Sequence, residues 1–175
     1  MAKLKTARTT YDGFSKIMHW LVAIIIIYAT CMGYLLHALE GSAWFNFFSE
    51  LNMSLGTLAV PVMVVRFVWR FFRPTVAMPD YISPRKKQVI ALIHEVFYLV
   101  IFLVLISGFL MLSKGFYLFG ILYIPQPITT PEVNDFFFKT HRIGCITLGV
   151  FMLAHIGAVL NYLRKGKKEI LKKMI

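Results

Sequence analysis

Four apolar stretches, each long enough to cross a ~30 Å hydrocarbon core, decide what this chain can fold into. They run Lys16–His37, Phe47–Phe72, Gln88–Ser113 and Phe136–Leu163, with short connections between them. Inside a bilayer every backbone N–H and C=O must find its partner within the protein, so unpaired stretches of this length span as helices. The fold class is therefore all-α: an integral membrane four-helix transmembrane bundle, with residues 1–175 forming one domain. A hydrophobic content of 58% and a mean hydropathy of +0.70 are too high for a soluble domain. No internal repeat or low-complexity segment interrupts the pattern.

The net charge of +11 invites a nucleic-acid reading, and its distribution argues against one. Lys3, Lys5, Arg8 and Lys16 precede the first span. Arg70, Arg73, Arg85, Lys86 and Lys87 flank the second connection, and Arg164, Lys165, Lys167, Lys168, Lys172 and Lys173 fill the tail. The first connection, Ala38 to Asn46, has no Lys or Arg, and the third, Lys114 to Lys139, has them only at its borders. The positive-inside rule places both termini and the middle connection in the cytoplasm. The basic clusters lie at headgroup depth, where anionic lipids attract them. The first span does not read as an obvious signal peptide: it is long, carries His19 and Trp20 near its start and lacks a clear small-x-small cleavage site. Cys31 and Cys145 fall inside spans and form no haem-attachment pattern, which reads as two buried small hydrophobes.

Pro61 predicts a kink in the second span, because proline removes a helical hydrogen bond. The outer segment KGFYLFGILYIPQPITTPEVND is too apolar to float freely. It is expected to lie as a flap on the outer membrane surface, over the bundle end. Ile170, Leu171 and Ile175 alternate with lysines, which suggests a short interfacial helix.

Histidines carry the chemistry. A histidine inside a bilayer is costly and marks a functional site by default. His141 and His155 are fourteen residues apart on the fourth span, which puts them within about 40° of one direction and roughly 21 Å apart along the axis. His19 lies on the first span at the depth of His155. A non-covalent b-type haem takes one imidazole from each of two helices, and His19 with His155 meets that need. His141 requires a partner at the outer level, where the second span reads SELNMSLG and holds no histidine. Zinc fits less well, since structural zinc sites gather four close ligands, often cysteine.

Arg66, fourteen residues after Asn52, falls at the His19/His155 depth. A haem propionate would satisfy it through charge-assisted hydrogen bonds; snorkelling to the cytoplasmic headgroups is the alternative. Gly56 and Gly144 admit either close approach of a flat macrocycle or ordinary helix packing.

Together these residues resemble the bacterial cytochrome b561 family, which is similar to the cytochrome b subunits of formate dehydrogenase and nickel-iron hydrogenase. The resemblance covers nearly the whole chain. It rests on YDGFSKIMHWL, LNMSLG…MVVRFVWRFFRP, HEVFYLVIFLVLISG, the outer-loop FG…P pattern and the histidine pair of the fourth span. It implies two stacked b haems. The inner one takes His19 and His155. The outer one takes His141 and a second-span histidine whose position matches Asn52 here, and asparagine is a poor iron ligand. Three arrangements follow: no outer haem, an outer haem with a substitute ligand, or a five-coordinate haem on His141 open to a small molecule. His37 is the first substitute candidate, although it stands about 27 Å from His19 along the axis, a turn too far out. Met53 is the second. His94 matches a non-ligating family position and is expected either to line a quinone pocket or to serve as a hydrogen-bonded interfacial histidine.

The resulting expectation is a multi-pass bacterial inner-membrane b-type cytochrome. It would exchange electrons with ubiquinone or menaquinone through bis-histidine haem, as an electron-transfer protein or a quinone-linked oxidoreductase. The alternative is a membrane-anchor or assembly subunit of a larger redox complex with one or a structural haem; a haem-free transporter is a third class. Quinol, superoxide and a periplasmic or membrane redox partner are all open as electron partners, and a homodimer is an open assembly.

Overall fold

The computed structural model describes residues 8–175; Lys3 and Lys5 of the first basic cluster lie outside the described residues. The elements in chain order are α1 (Gly13–Ala38), α2 (Phe45–Phe72), α3 (Pro84–Leu110), β1 (Phe116–Leu118), β2 (Leu122–Ile124), α4 (Pro131–Arg164) and α5 (Glu169–Lys172). All four long helices are long and apolar enough to cross a membrane.

The helix limits differ from the sequence expectation where caps decide them. Pro131 opens α4 five residues before Phe136, since proline has no N–H to leave orphaned in a first turn. The extra turn carries buried Asn134, whose amide donates to the carbonyls of Leu110 and Leu112 at 3.1 and 3.2 Å. Those are orphan carbonyls at the close of α3, and they end it at Leu110 rather than Ser113. Helix α2 continues through Pro61.

Helix α1 packs on α2, α2 on α3, and α3 on α4; among the described residues α1 and α4 share no extended contact. The core is a thin seam of Val22, Ile26, Met63, Val100, Ile101, Val104 and Leu148. Most other large apolar side chains, such as Ile24, Leu99, Ile143 and Leu153, point outward. A lipid solvent permits that, because hydrocarbon exacts no hydrophobic penalty from them.

The outer flap contains an antiparallel hairpin, an addition to the all-helical expectation. Its turn uses left-handed backbone at Phe119 (φ 50°) and Gly120 (φ 73°), and Phe119 N donates to Ser54 Oγ of α2 at 2.9 Å. The flap is thus pinned to the outer half of α2, with Phe116 buried and Ile121 87% exposed.

The basic segments meet at the opposite end. Arg8 N donates to Thr75 O, and Ala77 N to Arg8 O, at 3.1 and 3.2 Å. Trp20 Nε1 donates to Met174 O at 2.8 Å, and Lys16 Nζ to Ile175 O. The tail helix is a single turn, and the residues after it lie against the inner end of α1. Gathering these clusters at one end agrees with the charge-based topology.

Candidate functional site: a four-helix histidine cluster

Each long helix sends one group to a common level near the basic end: His19 from α1, Arg66 from α2, His94 from α3 and His155 from α4. His94, His155 and Arg66 all lie within electrostatic reach of His19. Arg66 Nη2 donates to His19 Nδ1 at 3.0 Å, and Arg66 Nε donates to the Tyr98 hydroxyl at 3.1 Å. A guanidinium can only donate, so this contact leaves the neutral His19 proton on Nε2. Arg66 Nη1 is buried with no partner. The arginine therefore points into the bundle and does not snorkel to the headgroups.

His155 packs edge-to-face against His94 and Phe97, with ring centroids 6.1 Å away in each case. Its ring makes no hydrogen bond among the described residues, and the residue is exposed. His94 Nδ1 lies 2.7 Å from Ile90 O. A carbonyl only accepts, so Nδ1 carries the proton and Nε2 is left as the open position.

Sequence reasoning overlooked Tyr98, although the signal was there: it is four residues after His94, on the same face of α3. It also overlooked the neighbouring ion pair. Glu95 takes both ends of the Arg70 guanidinium, Nη1 at 2.7 Å and Nη2 closer still. Arg70 further stacks on Phe67, Phe71 and Tyr98 at 5.4–5.5 Å. This braces α2 against α3 beside the histidines.

The outer level is built differently. His141 is turned toward α3, where its Nδ1 donates to Val104 O at 2.9 Å. Cys145 Sγ is 3.3 Å from its Nε2, and Gly108 gives the ring room: a Cβ there would stand 2.8 Å from His141 Cε1. A Cβ on Gly144 would stand 2.9 Å from Val104 Cγ2, so this glycine serves close α3–α4 packing, whereas nothing lies within 4 Å of such a Cβ on Gly56. Asn52 Oδ1 is buried without a partner. His37 sits at the outer mouth with its side chain 78% exposed, 3.5 Å from Glu40. Met53 lends its carbonyl to Thr57 Oγ1 at 2.9 Å. The structure thus brings His19, Arg66, His94 and His155 together and leaves His37 outside any such cluster.

A haem tests well against the inner level. Two imidazoles stand on helices that share no extended contact among the described residues, and an arginine within electrostatic reach of both carries an orphaned buried donor. The outer level offers one imidazole, already held by α3, and an amide.

Residues 10–175 match the prokaryotic cytochrome b561 family. Over 171 residues the chain is also 28% identical to cytochrome b561 homolog 2 of Escherichia coli (strain K12), an alignment covering 94% of this chain and 90% of that protein. Family match and four helices long and apolar enough to cross a membrane agree, and the chain belongs to the prokaryotic cytochrome b561 family, the multi-pass membrane b-type cytochromes of electron transport.

Proposed function

We propose that this cytochrome exchanges electrons with the quinone pool through a single haem b at the inner level, held by His19 and His155. The observation that carries this reading is the convergence of His19, Arg66, His94 and His155 where α1 and α4 stay apart. His19 and His155 would hold a haem there, which would supply reversible one-electron transfer.

The chain's own residues do the rest. A His19 that coordinates through Nε2 carries its proton on Nδ1 and can no longer accept from Arg66. Arg66 would then donate elsewhere, and its unpartnered Nη1 would suit an anionic acceptor such as a haem propionate. Tyr98 accepts from Arg66 Nε and so positions the guanidinium. Quinone reduction takes up protons, and quinol oxidation gives them back. His94, with Nε2 open, lies against His155 and is placed to hold such a proton for ubiquinone or menaquinone. His141, committed to Val104 and Cys145, serves α3–α4 packing.

Haem-to-protein stoichiometry tests the reading. A ratio near one is expected in the wild type and in His141→Ala, with loss in His19→Ala or His155→Ala. A ratio near two that falls in His141→Ala overturns the single-haem reading; normal incorporation without His19 overturns the pairing. In vesicles, His94→Ala should slow reduction by quinol while dithionite still reduces all the haem. Unchanged quinol kinetics would remove His94 from the quinone site.

A further inference from the structure

A cavity of about 260 Å³ opens at the basic end between α4 and the start of α3, and the proposed electron-transfer site does not use it. Lys86, Lys165 and Lys167 line it together with Asn161 and Tyr162. None of the three lysines has a carboxylate within salt-bridge distance among the described residues, in contrast to Arg70 with Glu95 and Lys139 with Asp135. Lys167 instead rests over the Tyr81 ring at 4.0 Å. The acidic groups at hand are Glu169, within electrostatic reach of Tyr81, and Asp80 beside it in sequence; they leave the cluster net positive. The start of α3 adds to this field, with no acidic residue in its first turn and no side-chain cap from Ser83.

Depth selects the ligand class. Helices α3 and α4 both reach the headgroup layer here, where the neighbouring helices carry Trp20 and Trp69, the residues that favour a membrane interface. Ile82 and Ala158 supply an apolar wall to the same cavity. Uncompensated lysines, neutral hydrogen-bonding groups and an apolar wall at this depth match a phosphodiester whose acyl chains continue along the helices.

We propose that this cavity binds the phosphate of an anionic phospholipid headgroup from the cytoplasmic leaflet. The lysines hold the charge, and Asn161 and Tyr162 add neutral hydrogen bonds. Bound in this way, the lipid ties the inner ends of α3 and α4 together next to His94 and His155.

The test uses the full chain reconstituted in phosphatidylcholine, with spin-labelled phosphatidylglycerol as probe and spin-labelled phosphatidylcholine as reference. The wild type should hold the anionic probe in preference to the reference. Lys86→Gln with Lys165→Gln should lower that preference about ten-fold, and the two Lys→Arg replacements should retain it. Lys168→Gln with Lys172→Gln, an equal charge loss outside the cavity, should leave it within two-fold. Tyr162→Phe with Asn161→Leu, which changes no charge, should lower it two- to three-fold and keeps the proposal testable if the lysine variant misfolds. Equal loss in the cavity and control variants would reduce the site to a diffuse basic rim and overturn the proposal. So would the absence of any anionic preference, or displacement of the probe by millimolar glycerol phosphate, which would mark a site for soluble phosphates.

Discussion

Arg66 on α2 donates to Nδ1 of His19 on α1 at 3.0 Å while its second terminal nitrogen, Nη1, is buried without a partner. A buried, half-satisfied guanidinium is costly unless something completes it. The relationship therefore ties the arginine to the histidine proposed above as an iron ligand.

Replacing Arg66 with Leu removes a positive charge next to the proposed haem and favours the oxidised form. The midpoint potential should fall on the order of 50 mV, and haem should be lost more readily in detergent. Arg66→Lys should keep most of the potential and less of the retention, because a point charge lacks the second donor. Redox titration of the α band measures both; an unmoved potential in Arg66→Leu would separate this arginine from the haem.

Gly108→Ala places a methyl 2.8 Å from Cε1 and 3.0 Å from Nδ1 of His141. The ring must move and its bond to Val104 O breaks, at a cost of about 1–3 kcal/mol. Gly56→Ala, with nothing within 4 Å of the new carbon, should be close to neutral. Thermal melts of the two variants in one detergent check the contrast.

Asp12 caps α1, taking Ser15 N at 2.9 Å, Ser15 Oγ at 2.8 Å and Trp69 Nε1 at 3.3 Å. Burial pushes its carboxyl upward, but the Ser15 amide, the Ser15 hydroxyl and the Trp69 indole outweigh it and hold the group below its ordinary value of 3.8. A depressed folded value stabilises the protein above the unfolded value, and that stability is lost as pH falls through the folded one. Asp12→Ala should thus cost about 0.5–2 kcal/mol at neutral pH, with the gap from wild type closing below about pH 4. Melting temperature against pH reads it out.

Ser54 Oγ is the acceptor that holds Phe119 N, and Ser54 is fully buried under the flap. Ser54→Ala should cost about 1–3 kcal/mol by stranding a donor. It should also loosen the hairpin, read as faster proteolysis at its exposed tip in intact vesicles, where the helices are protected.

Spacing and charge bias alone were enough to expect four spanning helices, basic segments gathered at one end, and His19, Arg66 and His155 at a common depth. Depth accumulates at about 1.5 Å per residue along a helix, and charge bias is read from short connections; neither needs a partner helix. The lack of a histidine at the outer end of the second span was legible in the same way, whereas Asn52 as the position that departs was implied by the family resemblance. The rotation of each helix about its axis was not, because packing sets it. Gly108 and Gly144 let α3 and α4 pack closely, and His141 turns onto Val104 of α3 at the outer level. The hairpin depended on Ser54, sixty-five residues before Phe119, and the end of α3 on Asn134 of the next helix. That α1 and α4 share no extended contact, while His19, His155 and Arg66 still lie within electrostatic reach of one another, follows from which surfaces touch, and only the tertiary structure decided it.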